Sequence, residues 1–395
     1  AGVIGAKQIA QETGRKNILT LDLGGTSNDV SLIQNGETKL FTDGKIGNYP
    51  CRQAMMDIST IGAGGGSIAW VDGGGWLRVG PHSAGSFPGP ACYGKGGTEP
   101  TYTDASLIMG YLRPDYFAGG EVALNAELSR NAIQEKVADV LNMELYDAAS
   151  AIHKIMHNQM ADQVRLATVK RGYDPRSFSV VASGGAGPIA ACSLLKLLGF
   201  KEVIVPPTPG VMAALGLLSA DIEHEEVVTF AAKIDEADLD ELKAAIEEGK
   251  QLCGQERINV GISEDLMKTT YSAEMRYVGQ SYELEIPFPE AAGVLDRASM
   301  ETVKERFHER HEHVYKHAFR NLQIEFTAVR ILISQKPVPT PKMEKVREGD
   351  WGVPADKRRT YFDECKGWME CDVYNRQDLA ASQVIIGPAI VEQTD

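Results

Sequence analysis

A chain of 395 residues is long enough for roughly two or three domains, and 43% apolar with 24% charged residues is the composition of a globular protein with a sizeable core. A net charge of −14 argues against nucleic acid or an anionic membrane as a partner, so an anionic substrate would have to be held by local loops and metal. No apolar run approaches the ~18 residues of a membrane helix and no signal peptide is visible; six cysteines (51, 92, 192, 253, 365 and 371) without any CxxC spacing argue for a reducing cytoplasm and against a disulfide or zinc framework.

Residues 1–13 read as a helix closed by Gly14. The helix is already under way at Ala1, and the sequence stops at GPAIVEQTD just after a strand-like run, which predicts a piece of a longer polypeptide. Residues 17–33, NILTLDLGGTSNDVSLI, read as two strands joined by a turn. Gly24, Gly25, Thr26 and Ser27 are too small and permissive for anything but a turn. Glycines let backbone N–H groups approach phosphate oxygens, and hydroxyls donate as well. Asp22 and Asp29 flank the turn and suit Mg²⁺, usually through water. A plain hairpin with a GGT turn fits the same spacing. A third strand is expected near 38–42.

Residues 50–60 read as a short helix running into Gly62-Ala63-Gly64-Gly65-Gly66-Ser67. That loop suits either phosphate contact or close passage of backbone against backbone. Residues 68–79 predict a hairpin across Gly73-Gly74-Gly75. Residues 80–104 form the longest irregular stretch of the first half, with His82, Ser83, Cys92, Tyr93 and Asp104 as its reactive side chains. Asp104 is expected to cap a helix starting at Ala105, and Cys92 has no histidine near it in sequence to activate it.

Two helices are expected at 127–143 and 145–172. In the second, Ala149, Ile152, Ile155, Met156, Met160 and Val164 recur at helical spacing as a core face. His153 and His157 form an i,i+4 pair without a completing acid, which favours core or solvated histidines over a metal site. Residues 178–182 read as a strand, followed by Gly184-Gly185-Ala186-Gly187 and a helix to Leu198. Strand, glycine turn and helix N-terminus make a nucleotide pocket that matches neither GxGxxG nor GxxxxGK[ST]. A strand at 203–205 and a small-residue helix at 211–220 complete an α/β core.

After residue 222 the pattern changes to strand, charged helix (235–253), two strands around Gly279, helix (298–320) and strand (325–334), an α+β domain. Residues 336–342, KPVPTPK, read as a linker, and the remainder as a β-rich segment. The expected division is 1–221, 222–335 and 336–395. Four of the eight histidines lie in FHERHEHVYKHAFR. Helical geometry puts His308 and His311 on one side and His313 and His317 on about the opposite one, so one helix cannot gather them round a metal.

The motifs LDLGGTSNDVSLI, GAGGGSIAWVDGGGWLRVGPHSAGSFPGPACYG, PTYTDASLIMGYL, ASGGAGP and GVMAALGLLSAD, in this order, resemble those of the hydantoinase A/oxoprolinase family. That family includes ATP-dependent N-methylhydantoinases, 5-oxoprolinases and the nucleotide-binding subunits of acetone and acetophenone carboxylases. The resemblance spans the whole chain. It implies an actin/sugar-kinase-like (ribonuclease H-like) ATPase lobe, an α+β domain and the start of a C-terminal β segment. It implies ATP and Mg²⁺ as cofactors, with Asp22, Gly24, Gly25, Thr26, Ser27 and Asp29 at the phosphates and with Gly184, Gly185, Ala186 and Gly187 against the adenosine. Asp22 and Asp29 would hold the metal or position the nucleophile. Relatives carry a further DxGGT turn upstream, so a second lobe is expected on a preceding segment or a separate chain. Relatives often have a histidine where Ala190 stands, and its role does not transfer. The implied chemistry is phosphorylation of a carbonyl or cyclic-amide oxygen, followed by ring hydrolysis with a hydantoinase B-type partner subunit. Ketone carboxylation and a non-catalytic assembly role are the alternatives.

Overall fold

The computed structural model describes residues 1–38, 40, 41, 44–46, 49–51, 55–289, 295–337, 349 and 351–394. The chain divides into two compact units, Ala1–Leu218 with Pro341–Asp395, and Ser219–Thr340. The last segment therefore belongs to the same unit as the first 218 residues.

In the first unit, α1 (Gly2–Thr13) ends at Gly14, whose left-handed backbone (φ 68°) closes the helix. It leads into β1 (Ile18–Leu23) and β2 (Asn28–Gln34), which pair antiparallel across the four-residue turn. β3 (Glu37–Thr38), β4 (Leu40–Phe41), β5 (Gly44–Ile46), β6 (Tyr49–Cys51) and β7 (Met55–Met56) are short pieces. β8 (Ile58–Ile61) then pairs with the start of β2. The helix expected at 50–60 is thus replaced by strand at 50–51, 55–56 and 58–60, with Asp57 between two strands, and residues 52–54 lie outside the described residues. The cause is tertiary: Ile58, Thr60 and Ile61 are β-branched and meet an open strand edge that has no competing partner in this register.

β9 (Ser67–Val71) and β10 (Leu77–Ser83) form the expected hairpin. Its turn is held by Asp72, which accepts hydrogen bonds from the Gly74 and Trp76 amides and from Arg78. α2 (Tyr102–Ile108), α3 (Ala126–Ile133), the short α4 (Asp139–Leu141) and the long α5 (Leu145–Ala167) follow. β11 (Ser179–Ser183), α6 (Gly187–Leu198), β12 (Glu202–Ile204) and α7 (Met212–Leu218) complete the core. The sheet runs β12-β11-β1-β2-β3, with β1, β11 and β12 parallel. β1 is buried on both faces. Leu19, Leu21 and Leu23 meet the core that includes Ile152, Met156, Met160 and Leu194, while Ile18 packs with Val3, Ala6, Ile9 and Met212. This is why the strand reads as an apolar run.

His153 and His157 lie inside the first core. The Tyr102 hydroxyl pairs with His157 Nε2 at 2.9 Å, and the Ser106 hydroxyl pairs with His153 Nε2 at 2.9 Å. The Tyr102 ring stacks on His153 at 4.4 Å. Burial pushes the His157 pKa down to about 4, against a weaker pull from Glu364. Burial, and then His157, holds His153 well below its ordinary value. Both rings are neutral when folded and take up protons on unfolding, so stability is full above pH 6.5 and is lost as pH falls toward 4. His157 alone should make unfolding about 2 kcal/mol easier at pH 5 than at pH 7. Urea titrations at the two pH values should show that loss, and His157→Gln should reduce it; an unchanged loss in the variant would rule the mechanism out.

β17 (Asp356–Phe362), β18 (Gly367–Asn375) and β19 (Ala389–Glu392) complete the first unit. The Tyr361 amide donates to Met109 O at 2.8 Å and its hydroxyl to Asp147 at 2.9 Å, while Arg376 donates to Val205 O and Pro206 O. The linker expected at 336–342 falls largely outside the described residues.

The second unit is an antiparallel sheet, β13-β16-β14-β15, made of β13 (Ile222–Lys233), β14 (Lys268–Tyr277), β15 (Leu284–Pro287) and β16 (Ile324–Gln335). α8 (Leu239–Glu256) and α9 (Arg297–Tyr315) supply Leu242, Ile246, Val303 and Phe307 to its core. α9 ends at Lys316, which takes the left-handed conformation, so His317 leaves the helix. It folds back until its ring lies 5.2 Å from that of His311, where helical spacing had put it on the far side. His311 Nδ1 bonds His317 O, and His308 bonds the Tyr277 hydroxyl. Among the described residues, no group of three or more His, Cys, Asp or Glu side chains is arranged to hold a metal.

Candidate functional site

β1 and β11 are parallel neighbours, so the turns that follow them lie at the same edge of the sheet. The register pairs Asp22 with Asp29 across β1 and β2, Asp22 with Ser183 across β1 and β11, and Asp29 with Thr60 across β2 and β8. Ser183, Asp22, Asp29 and Thr60 therefore form one polar row across one face of the sheet. The Thr60 hydroxyl donates to Asp29 at 2.5 Å. Burial first, and the facing Asp29 charge second, raise the Asp22 pKa, with the Ala1 amino group opposing. Two half-buried carboxylates placed directly opposite each other repel, and a cation between them would relieve the repulsion. The donors are hard oxygens, as Mg²⁺ prefers, but two carboxylates are an incomplete shell that waters and phosphate oxygens would have to finish.

The first turn, Gly24 to Ser27, is closed by the Gly24 amide donating to Ser27 O at 3.0 Å. Gly25 and Thr26 sit exposed at its tip, and their amides meet no acceptor among the described residues. The second turn starts at Gly184, whose φ is +77°. Its amide donates to Pro209 O at 2.8 Å, and the Ala186 amide donates to Leu23 O at 3.1 Å, which locks the second turn onto the end of β1. Gly185 is exposed with open space around it. Gly187 then opens α6, whose first amides face the same edge. All ten residues singled out from the sequence (Asp22, Gly24, Gly25, Thr26, Ser27, Asp29, Gly184, Gly185, Ala186 and Gly187) thus lie at this one edge.

The glycine loop at 62–66 touches the same edge, but its Ala63, Gly64, Gly65 and Gly66 amides are already engaged within the chain. The Gly65 amide donates to Gly24 O at 2.9 Å and the Gly66 amide to Gly25 O at 2.6 Å. A Cβ on Gly64 would stand 2.4 Å from the Thr26 nitrogen. Of the two readings of this loop, close backbone passage is the one realised: it buttresses the first turn.

The long loop at 80–104 reaches the edge through Ser83, whose hydroxyl lies 3.3 Å from that of Thr26. His82 is exposed. Cys92 is buried, and burial, then the Asp104 charge, push its thiol pKa well up, so it is an inert thiol and not a nucleophile. Tyr93 packs against Phe117 with ring centroids 5.9 Å apart. The helix expected from Ala105 begins instead at Tyr102, so Asp104 is its third residue and Thr101 its cap. Fully buried, Asp104 accepts from the Ala91, Cys92 and Thr101 amides and from the Thr101 and Ser129 hydroxyls. Thr101-x-x-Asp104 is a capping-box spacing, which is the sequence signal for that helix start. Thr60, Pro209 and Thr103, which brace the edge from afar, have no comparable local signal.

The hydantoinase/oxoprolinase family profile matches residues 1–226, and that of the hydantoinase/oxoprolinase C-terminal domain matches residues 230–395. The chain is 34% identical over 391 residues to the caprolactamase subunit alpha of Pseudomonas jessenii, a match over 98% of this chain and 56% of that protein. The nucleotide-free structure of acetone carboxylase, solved for the mechanism of ATP-dependent acetone carboxylation, superposes with a TM-score of 0.89 at 30% identity, over 100% of this chain and 57% of that one. The ATP-dependent caprolactamase from Pseudomonas jessenii superposes with a TM-score of 0.74 at 33% identity, again over 100% and 57%. The chain thus spans little more than half the length of these relatives. No helix among the described residues is long and apolar enough to cross a membrane.

Proposed function

Because the chain belongs to the hydantoinase/oxoprolinase family, we propose that it binds ATP at the shared edge of β1 and β11 and directs the γ-phosphoryl group onto a carbonyl oxygen of a small substrate, a cyclic amide first of all. The observation that carries this reading is the facing pair Asp22 and Asp29 beside two glycine turns with open amides.

The carbonyl oxygen forms a bond to the γ-phosphorus and the bridging P–O bond to ADP breaks. The oxygen then leaves as phosphate once water has added to the activated carbon. Phosphoryl transfer asks the protein for positioning and for charge stabilisation more than for covalent chemistry. The Gly25 and Thr26 amides and the Thr26 and Ser27 hydroxyls would orient the phosphates, while the Gly185 amide and the α6 N-terminus would lie against the adenosine. Gly184, Ala186 and Gly187 hold the second turn, and Gly24 the first. Asp22 and Asp29 would hold Mg²⁺, which when bound supplies neutralisation of phosphate charge. The fold we assign is an actin/sugar-kinase-like ATPase lobe, with a second lobe from a preceding segment or another chain and a hydantoinase B-type subunit carrying the later steps. The reading places the protein in the cytoplasm, where ATP is available.

A second reading, ATP-dependent carboxylation of a ketone, is favoured by the closer superposition on acetone carboxylase. ATP turnover by the full-length protein, purified with its natural partners, separates the two. Phosphate release stimulated by hydantoins, 5-oxoproline or caprolactam without bicarbonate supports lactam opening. A strict bicarbonate requirement with ketones supports carboxylation. ATP binding without substrate-stimulated turnover leaves only an assembly role, and absence of binding sinks the nucleotide reading.

A further inference from the structure

The segment PTYTD (100–104) lies outside the two glycine turns, yet it reaches the site through two hydrogen bonds in series. Thr103 is buried and sits one residue before the Asp104 hub. Its amide and its hydroxyl both donate to the same acceptor, Gly65 O, at 2.9 and 2.8 Å. Gly65 in turn donates its amide to Gly24 O at 2.9 Å, and Gly66 to Gly25 O at 2.6 Å. A Cβ placed on Gly65 would stand 3.0 Å from Thr103 Oγ1 and 3.8 Å from both Ala186 Cβ and Gly24 O. Gly65 therefore lies between the two glycine turns, and Thr103 holds it there.

The far end of this chain of contacts is rigid. Five donors fix the Asp104 carboxylate, and they come from the loop at 91–92, from Thr101 and from Ser129 at the neighbouring helix. A buried carboxylate satisfied so fully does not shift without breaking several charge-assisted bonds at once. The start of α2 is thus a fixed post.

We infer that Thr103 is a positioning residue for phosphate binding: its hydroxyl fixes the Gly65–Gly66 peptide, whose Gly66 N–H holds the carbonyl of Gly25 and so sets the direction of the Thr26 amide in the same peptide plane. This rests on the phosphate role proposed above for residues 24–27. Its basis is preorganisation: a turn already held in its binding geometry loses less freedom when the ligand arrives.

The test compares Thr103→Val, which keeps the branched shape and removes the donor, with Thr103→Ser, which keeps the donor. It uses the full-length protein with its partners, calorimetric titration with MgATP, and steady-state kinetics. For Thr103→Val, ATP binding should weaken roughly tenfold and KM for ATP rise by about the same factor, with kcat within about twofold of the parent. Thr103→Ser should bind within about twofold of the parent. Hydrogen exchange without nucleotide should quicken at residues 24–27 in Thr103→Val and stay unchanged in α5, a split that general destabilisation would not produce. If Thr103→Val does not accumulate folded, Thr103→Ala against Thr103→Ser makes the same comparison. Parent-like ATP affinity in Thr103→Val, or a Thr103→Ser variant as weak as Thr103→Val, overturns the inference and leaves the nucleotide reading standing. If the parent protein binds no ATP, the nucleotide reading itself fails, and the inference with it.

Discussion

Asp22→Asn should lower substrate-stimulated ATP turnover by about a thousandfold while leaving the protein folded and at least as stable as its parent. The two halves of this expectation come from the same geometry. Asp22 faces Asp29 in register across β1 and β2, and its pKa is raised by burial and by that charge. A carboxyl whose folded pKa lies above its unfolded value favours the fold most in the protonated form. That contribution is present below the unfolded pKa and is lost as pH rises through the folded one. The neutral amide of asparagine cannot lose it, so at neutral pH the variant should gain up to about 1 kcal/mol from relief of the like-charge pair. Turnover, in contrast, would lose a metal-holding carboxylate. Thermal unfolding and phosphate release measured on one preparation decide the matter. A variant that unfolds earlier and turns over less would point to a structural aspartate instead. Full turnover in a stable variant would remove Asp22 from the chemistry.

The largest loss of stability is expected from Gly184→Ala. Gly184 has φ +77°, where an L side chain is strained. Its Cβ would stand 2.2 Å from Leu23 O, 2.5 Å from Leu23 C and 2.8 Å from Asp22 Oδ1. The first two atoms belong to the backbone of β1, which is buried with helix residues packed on both of its faces and cannot yield. We expect a loss of about 4 kcal/mol or more, together with loss of nucleotide binding. The neighbouring Gly185 supplies the contrast. It has open space around the missing Cβ and is exposed at the mouth of the site. Gly185→Ala should fold within about 0.5 kcal/mol of the parent and still bind ATP about tenfold more weakly, because a methyl group crowds the approach to its amide. Thermal melts and ATP titrations of the two variants should therefore differ in kind. Equal melting temperatures for both would show that β1 can adjust around the second turn. Unchanged ATP affinity in Gly185→Ala would put the nucleotide elsewhere.

Much of this was written into local sequence. The strand–GGT–strand unit, the 67–83 hairpin, the helix ending at Gly14 and the strand–glycine–helix unit at 179–198 each rest on turn chemistry and periodicity within a dozen or so residues. Such signals act over the same short range as the structures they specify. The order of five motifs also carried the family. Three-dimensional packing alone decided the rest. Residues 58–61 became a strand because β2 offers an edge, and an edge is invisible from within the segment. The amides of Gly65 and Gly66 were consumed by carbonyls some forty residues earlier in the chain, which turned a loop of phosphate-binding composition into a brace. His317 came back to His311 because a left-handed Lys316 ended the helix and cancelled its periodicity. Asp104 drew donors from three separate segments. In each case the deciding partner lies beyond the range of local propensity: the sequence alone named the glycines and carboxylates, and burial and long-range hydrogen bonding fixed which of them still have groups free to meet a ligand.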